Sequence, residues 1–226
     1  MRMLISSFYN TLINKEEAIS FSTMLEIDKL RKKDILFSIC TSRSHEEVLY
    51  YNHDYPFIDY IISYNGNYIY DVKKKKNICK NPLKKTLIKK VEEIFKDKKI
   101  IYYKDNKDIY KLEIKIKRKE LDLINKLENL NIYTSIFILN KDYYIEITNN
   151  NTYEGINALK TKLKIDNNDI ITVIGNLAEK EIIANIKKTY VVSNAPKELK
   201  EKANYKTKSN NLKGVEQVIK KEAKIN

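Results

Sequence analysis

The sequence predicts an α/β protein in which a parallel sheet, covered by helices on both sides, carries an inserted α+β unit. Three observations lead there. Short and nearly continuous apolar runs, Met3–Phe8, Ile35–Cys40, Ile58–Ile62 and Ile170–Ile174, alternate with helix-length segments, which is the pattern of strands buried on both faces. Between them lies a stretch with a different pattern, helix-strand-strand repeated twice, whose strands alternate polar and apolar residues. The first pattern then returns, so one sheet is shared by residues 1–72 and 150–226, and residues 73–149 form the insertion.

The elements follow in order. Met3–Phe8 reads as the first strand and Lys15–Lys33 as a helix. Ile35–Cys40 is the second strand. Ser44, ahead of Glu46 and Glu47, is placed to cap the next helix, its hydroxyl taking a first-turn N–H while the acids sit at the positive end of the helix dipole. Ile58–Ile62 is a third strand, and Asn65-Gly66 turns the chain into Tyr68–Val72. In the insertion, Pro82 falls near the first turn of a helix reaching Lys96. Ile100–Lys104 and Ile109–Ile116 are strands, Arg118–Leu130 is a second helix, and Ile132–Leu139 and Tyr143–Thr148 form a second strand pair. Lys111-Leu112-Glu113-Ile114-Lys115-Ile116 alternates strictly, so one face of that sheet meets water and its pairing is antiparallel. The core pattern resumes with a helix Thr152–Leu163, the strand Ile170–Ile174, a helix Leu177–Lys187 and a short strand Tyr190–Val192. A helical turn from Ala195-Pro196, a strand Tyr205–Thr207 and a helix Leu212–Lys221 close the chain.

Composition limits the function classes. The net charge of +13 raises nucleic acid or an anionic surface as a partner. The lysines are nevertheless spread over helix faces, and the densest run, Lys73–Lys76, falls at a connection. Lys, Ile, Asn and Tyr are over-used together, as in an AT-rich coding sequence, so nucleic acid is not the expected partner. No apolar stretch approaches the ~20 residues of a membrane span, and Met1–Phe8 gives way too soon to Asn10, Asn14 and Lys15 for a signal peptide. The expectation is a soluble, cytoplasmic protein. Cys40 and Cys79 lack the paired spacing of a metal site or disulfide framework, and Cys40 reads as a small core residue.

Five short segments then fall at strand ends or at the return from the insertion. Ser7-Phe8-Tyr9-Asn10-Thr11-Leu12 closes the first strand, Thr41-Ser42-Arg43 the second, and Asn65-Gly66 the third. Glu154-Gly155 opens the returning helix, and Gly175-Asn176-Leu177-Ala178-Glu179-Lys180 follows Ile170–Ile174. In this order and spacing they resemble the motifs of the haloacid dehalogenase (HAD) superfamily, specifically Cof-like phosphatases with a type IIB cap. The likeness spans nearly the whole chain and implies a Rossmann-like core, with the insertion as the cap. In that family the first segment reads Asp-x-Asp-Gly-Thr-Leu, the second carries Thr or Ser within Thr-Gly-Arg, the third motif is a Lys before Gly, and the last is Gly-Asp-x-x-Asn-Asp.

The resemblance implies Mg²⁺-dependent hydrolysis of a phosphomonoester, but every group it assigns to chemistry is changed. Ser7 stands for the nucleophilic Asp, Tyr9 for the acid/base Asp, Glu154 for the Lys, Asn176 for the metal-binding Asp and Lys180 for the final Asp. No shift of register restores them, because no Asp precedes Asp28. A serine hydroxyl without an adjacent base is a poor nucleophile, a tyrosine of pKa about 10 is no base at neutral pH, and Mg²⁺ seeks charged oxygens that Ser7 and Asn176 do not offer. The expectation is therefore a pseudophosphatase with no intact catalytic set, no metal site and no cofactor, serving a binding or regulatory role. Thr11, Thr41, Arg43 and Asn65 remain as contacts for a small anionic ligand, with Tyr9 placed to fill the former phosphate site. Glu154 and Lys180 are expected to form a reversed ion pair.

Two other readings stay open. One is an active phosphatase on a small phosphorylated metabolite such as a sugar phosphate, with His45 as an improvised base for Ser7; a lone histidine at a helix start, however, more often lies on the surface. Cys40 and Arg43 are too close in sequence for the phosphate loop of a cysteine phosphatase. The other is a protein or nucleic-acid binding module that uses Tyr102, Tyr103, Tyr133 and Tyr144 of the insertion. Oligomeric state is not encoded in any pattern found.

Overall fold

The computed structural model describes residues 1–53 and 56–223. It contains two sheets. The larger has eight strands in the order β12-β11-β10-β1-β2-β3-β4-β5. These are β1 (Arg2–Ser7), β2 (Ile35–Cys40), β3 (Tyr60–Ser63), β4 (Tyr68–Asp71), β5 (Lys76–Lys80), β10 (Ile170–Ile174), β11 (Lys188–Val192) and β12 (Tyr205–Thr207). The six strands from β12 to β3 are parallel, and β4 and β5 add an antiparallel edge. The reason is in the residues: Met3, Leu4, Ile5, Phe37, Ile39, Ile61, Val173 and Ile174 have no exposed surface, as strands covered on both faces require.

Helices α1 (Phe21–Arg31), α2 (His45–Asn52), α4 (Thr152–Leu163), α5 (Lys180–Asn185), α6 (Lys197–Lys202) and α7 (Gly214–Glu222) surround this sheet. Ser44 caps α2 by accepting the Glu47 N–H, and α4 spans Thr152–Leu163 as the sequence predicts. The helix expected from Lys15 starts instead at Phe21. Asn14 Oδ1 accepts the N–H groups of Glu16 and Ala18, and Glu17 turns left-handed at φ 56°, so a local turn captures these residues. Ser20 then caps α1 through the Thr23 N–H. The segment expected as one helix from Leu177 divides into a 3-10 turn, Leu177–Glu179, and the six-residue α5.

The smaller sheet is antiparallel, in the order β6-β7-β9-β8, from β6 (Ile100–Asp105), β7 (Asp108–Ile116), β8 (Tyr133–Leu139) and β9 (Asp142–Thr148). Helix α3 (Lys85–Ile94) and a 3-10 helix, Arg118–Leu130, back it. Val91, Phe95, Leu112, Ile114, Leu127 and Ile145 form its own apolar core. Two sequence expectations change here. Lys73–Lys75 form a turn, but Lys76 begins β5, which joins the larger sheet although the sequence assigns it to the insertion. The alternation of β7 also misleads: Lys115 is exposed, whereas Lys111 is 1% exposed because that end of the face is covered.

The chain leaves β1 towards β2 and β3 on one side and returns through β10 on the other. This reversal of strand order brings together the C-terminal ends of β1, β2 and β10, the usual ligand position in such sheets.

Candidate functional site

Ser7, the last residue of β1, stands opposite Cys40, the last residue of β2. Cys40 Sγ lies 3.8 Å from Ser7 Oγ, and neither residue is more than 1% exposed. Next to them β10 runs into Gly175. A side chain is excluded there, since a β-carbon would stand 2.5 Å from Thr11 Oγ1.

The group that fills the strand ends is Glu179, a residue to which the sequence reading gave no role. Its Oε2 accepts the N–H groups of Gly175 at 3.3 Å and Asn176 at 3.1 Å. Its Oε1 lies 4.0 Å from Cys40 Sγ, the same sulfur that approaches Ser7 Oγ. Burial pushes the Glu179 carboxyl above its ordinary pKa, against the opposing pull of hydrogen bonds from Ser7, Asn176 and Gly175. Burial and the Glu179 charge together push the Cys40 thiol well up. The spacing of Asn176 and Glu179 was the available signal. It is a capping box, in which the third residue after the cap reaches back to the cap's own N–H.

Asn176 is bound to the turn after β1, donating to the Tyr9 carbonyl at 3.2 Å and accepting from Asn10 Nδ2 at 3.4 Å. The Tyr9 ring is directed elsewhere: its hydroxyl donates to Glu47 Oε2 at 3.4 Å, and the ring packs edge-on against Phe8. Burial and the Glu47 charge raise the Tyr9 pKa. The Arg43 guanidinium lies 5.9 Å from the Tyr9 ring centre.

The four proposed anion contacts divide in two. Thr41 Oγ1 accepts the Arg43 N–H at 3.1 Å, closing the turn after β2. Asn65, left-handed at φ 53°, gives its N–H to the Thr41 carbonyl and its amide to Glu146 Oε2 at 3.1 Å, so both residues are already engaged. Thr11 Oγ1 is buried without a hydrogen-bond partner among the described residues, and Arg43 is exposed.

One expectation fails, and the residues named for the two open readings are engaged elsewhere. Glu154 and Lys180 are both exposed and do not pair; Glu154 Oε2 instead accepts the Asn151 N–H at 2.8 Å, completing the cap of α4. His45 is neither at the surface nor beside Ser7. It stacks on Tyr68 at 4.6 Å and on Tyr70 at 4.7 Å, 7% exposed, and burial lowers its pKa. The four cap tyrosines form no common platform: Tyr102 bonds Glu92, Tyr103 bonds Glu113, Tyr133 bonds the Ala178 carbonyl, and Tyr144 stacks on Phe137.

Above the strand ends the smaller sheet contributes a buried charge cluster. Lys111 Nζ lies 2.6 Å from Glu146 Oε1, 3.8 Å from Glu113 Oε2 and 3.9 Å from the Tyr103 ring centre. Ser135 Oγ and Asn65 Nδ2 both donate to Glu146 Oε2, so Glu146 ties the two sheets together. Tyr64 stacks on Tyr110 at 5.2 Å and donates to the Lys104 carbonyl nearby.

Mg²⁺ does not fit the residues at the strand ends. Octahedral oxygen coordination relies on carboxylates with free lone pairs, and the carboxylate here, Glu179, is buried and taken up by two backbone N–H groups. Among the described residues no three His, Cys, Asp or Glu side chains are gathered to hold a metal ion. No helix among them is long and apolar enough to cross a membrane.

Comparison with known proteins places this geometry. A family model described as haloacid dehalogenase-like hydrolase matches residues 8–120 and 98–219. A search of curated protein sequences found no match. Among solved structures, the chain is similar to the HAD phosphatase BT1666 of Bacteroides thetaiotaomicron, with a TM-score of 0.88 at 13% identity, covering 100% of this chain and 96% of that one. It is similar to the HAD subclass IIB sugar phosphatase BT4131, with a TM-score of 0.83 at 15% identity over 100% of both chains. SMU.1108c of Streptococcus mutans UA159 gives a TM-score of 0.84 at 17% identity, covering 99% of each. The family match extends over most of the sequence, and the chain belongs to the haloacid dehalogenase-like hydrolases.

Proposed function

We propose that this chain is a HAD-fold pseudophosphatase, a binding or regulatory member of its family that does not hydrolyse phosphate esters. One observation carries the reading. The hydroxyl at the nucleophile position, on Ser7, has no exposed surface, and the Glu179 carboxylate takes the backbone donors at the end of β10. A carboxylate that already holds the Gly175 and Asn176 N–H groups repels an anion and offers none of the free charged oxygens that magnesium requires. The exposed Arg43 guanidinium suits weak contact with a small anion, and neither it nor the buried Thr11 hydroxyl supplies a nucleophile.

A second reading has a specific point in its favour. Ser7 Oγ and Glu179 Oε1 both lie against Cys40 Sγ, at 3.8 and 4.0 Å, which sets a carboxylate near the hydroxyl, the neighbour a serine nucleophile needs. In this version the chain is a phosphatase on a small phosphorylated metabolite, the class named for the sugar phosphatase BT4131. A phosphatase assay with Mg²⁺ over a panel of sugar phosphates and related metabolites separates the two. The pseudophosphatase reading expects no turnover above that of Ser7→Ala. Turnover in the wild type that Ser7→Ala abolishes would overturn it.

A further inference from the structure

Each of the two sheets ends in two edge strands, and three of the four edges carry charge. Lys76 and Lys80 lie on β5, Lys206 on β12, and Lys104 with Asp105 on β6. Lysine on an edge strand is a common guard against pairing with another chain, since extending the ladder would bury its charge. β8 has no such guard. Its sequence, Tyr-Thr-Ser-Ile-Phe-Ile-Leu over Tyr133–Leu139, has no charge and no proline, and it pairs on one side only, with β9.

The surrounding sequence is equally unusual. Residues 129–140 form a run of twelve without Asp, Glu, Lys or Arg in a chain that is 32% charged. The runs of comparable length, 3–14 and 60–70, contain β1, β3 and β4, which lie inside the larger sheet. The third such run lies on an edge strand that is held at Tyr133 by the Ala178 carbonyl and is open beyond it, with Ile136 41%, Ile138 61% and Leu139 54% exposed. Ile136 pairs with Ile145 of the cap core, whereas Phe137 stacks on Tyr144 across the same strand pair, so apolar groups face outward on both sides of the edge.

We propose that β8 is a self-association edge, and that a second copy of this chain adds its own β8 antiparallel to it, joining two four-stranded cap sheets into one of eight strands. The seven-residue strand suits a two-fold contact. An axis through its midpoint sets Ile136 against Ile136 of the second copy and Thr134 against Ile138, with no charge brought into opposition. The choice of occupant follows from charge. An acidic partner gains nothing at this edge and finds lysines at the other three, whereas two bodies of +13 can approach closely only through neutral surface. One strand pair buries less than the roughly 1,600 Å² of a standard stable interface, so the dimer is reversible and concentration-dependent. Salt screens the repulsion between the two bodies and strengthens it.

Sedimentation of the full chain over a concentration series, at low and high salt, tests this. The expected result is a rise in average mass towards twice 26.7 kDa, larger at high salt, that is lost in Ile136→Lys and in Ile138→Lys and kept in Ile101→Lys on the β6 edge. An Ile136→Cys chain should form a disulfide-linked dimer on mild oxidation, and an Ile101→Cys chain should not; this second readout holds even if the lysine variants fold poorly. A wild-type chain that stays monomeric at its highest soluble concentration in high salt would overturn the proposal. So would a dimer that survives both β8 substitutions, or one that dissolves as salt is added.

Discussion

Gly66 and Gly155 meet backbone to backbone. A β-carbon on Gly155 would stand 2.3 Å from the Gly66 Cα, and one on Gly66 would stand 2.4 Å from the Asn151 carbonyl oxygen. Gly66 also holds φ at 94°, a conformation that side chains disfavour. The contact brings the start of α4 against the turn after β3. Gly155→Ala should therefore force these backbones apart and cost about 1–3 kcal/mol, the usual range for overpacking. Urea denaturation of the variant checks this, and an unchanged midpoint would mean that the two segments are not held together in solution.

Glu179 should leave a signature in the pH dependence of stability. Its folded pKa is raised, mainly by burial, so the folded state holds the proton more tightly than the unfolded state does. The associated stability is complete below the unfolded carboxyl value of about 4.3 and is lost as pH rises through the raised folded value. Glu179→Gln carries no such titration. Measured by denaturation across a pH series, the wild type should lose ground to Glu179→Gln as pH rises from about 4; a parallel pair of curves would contradict the buried position of this group.

Glu216 should behave in the opposite way. Burial would raise its pKa, but hydrogen bonds from Lys220, Ser22 and Thr23 outweigh that and hold it below the ordinary value. Its contribution is present above the unfolded carboxyl pKa and is lost as pH falls through the folded value. Glu216→Gln should thus weaken the protein at neutral pH and flatten the acid limb of its stability curve. An acid limb as steep as that of the wild type would sink this assignment.

The Lys111–Glu146 pair is buried on both sides, at 1% and 5% exposure. Removing one partner strands a charge in the interior, which costs about 3–5 kcal/mol, whereas removing both costs much less. Lys111→Met should therefore be more damaging than Lys111→Met combined with Glu146→Leu. A double-mutant cycle from thermal or urea unfolding gives the coupling, and additive effects would show that the two charges do not depend on each other.

The strands were legible because burial on both faces leaves unbroken apolar runs, as at Met3–Phe8 and Ile170–Ile174. The helix at Thr152–Leu163 was legible as the return of the core pattern, and Asn151 and Glu154 cap it. The proposed Glu154–Lys180 pair does not form because Glu154 turns back onto its own helix start while Lys180 opens a different helix, both side chains exposed. Lys76–Lys80 escaped notice because its lysines read as a loop, although an edge strand can hold them in water. Glu179 escaped because motif alignment places it at an Asn position, and spacing alone does not reveal that a short 3-10 turn tucks its carboxylate inward. His45 was misplaced because the tyrosines that enclose it, Tyr68 and Tyr70, are brought there by strand pairing and not by proximity in sequence.

One oxygen of Glu146 faces Lys111, and the other receives Ser135 from its own sheet and Asn65 from the larger one. Prising the halves apart would strip the Asn65 donor from Glu146 and uncover the Lys111–Glu146 pair. Separation therefore carries an electrostatic penalty beyond the loss of apolar contact, and the two halves should melt together instead of in succession. A fragment limited to the smaller sheet would keep Lys111 with Glu146, Glu113 and Tyr103 but lose the Asn65 amide that completes the shell of Glu146.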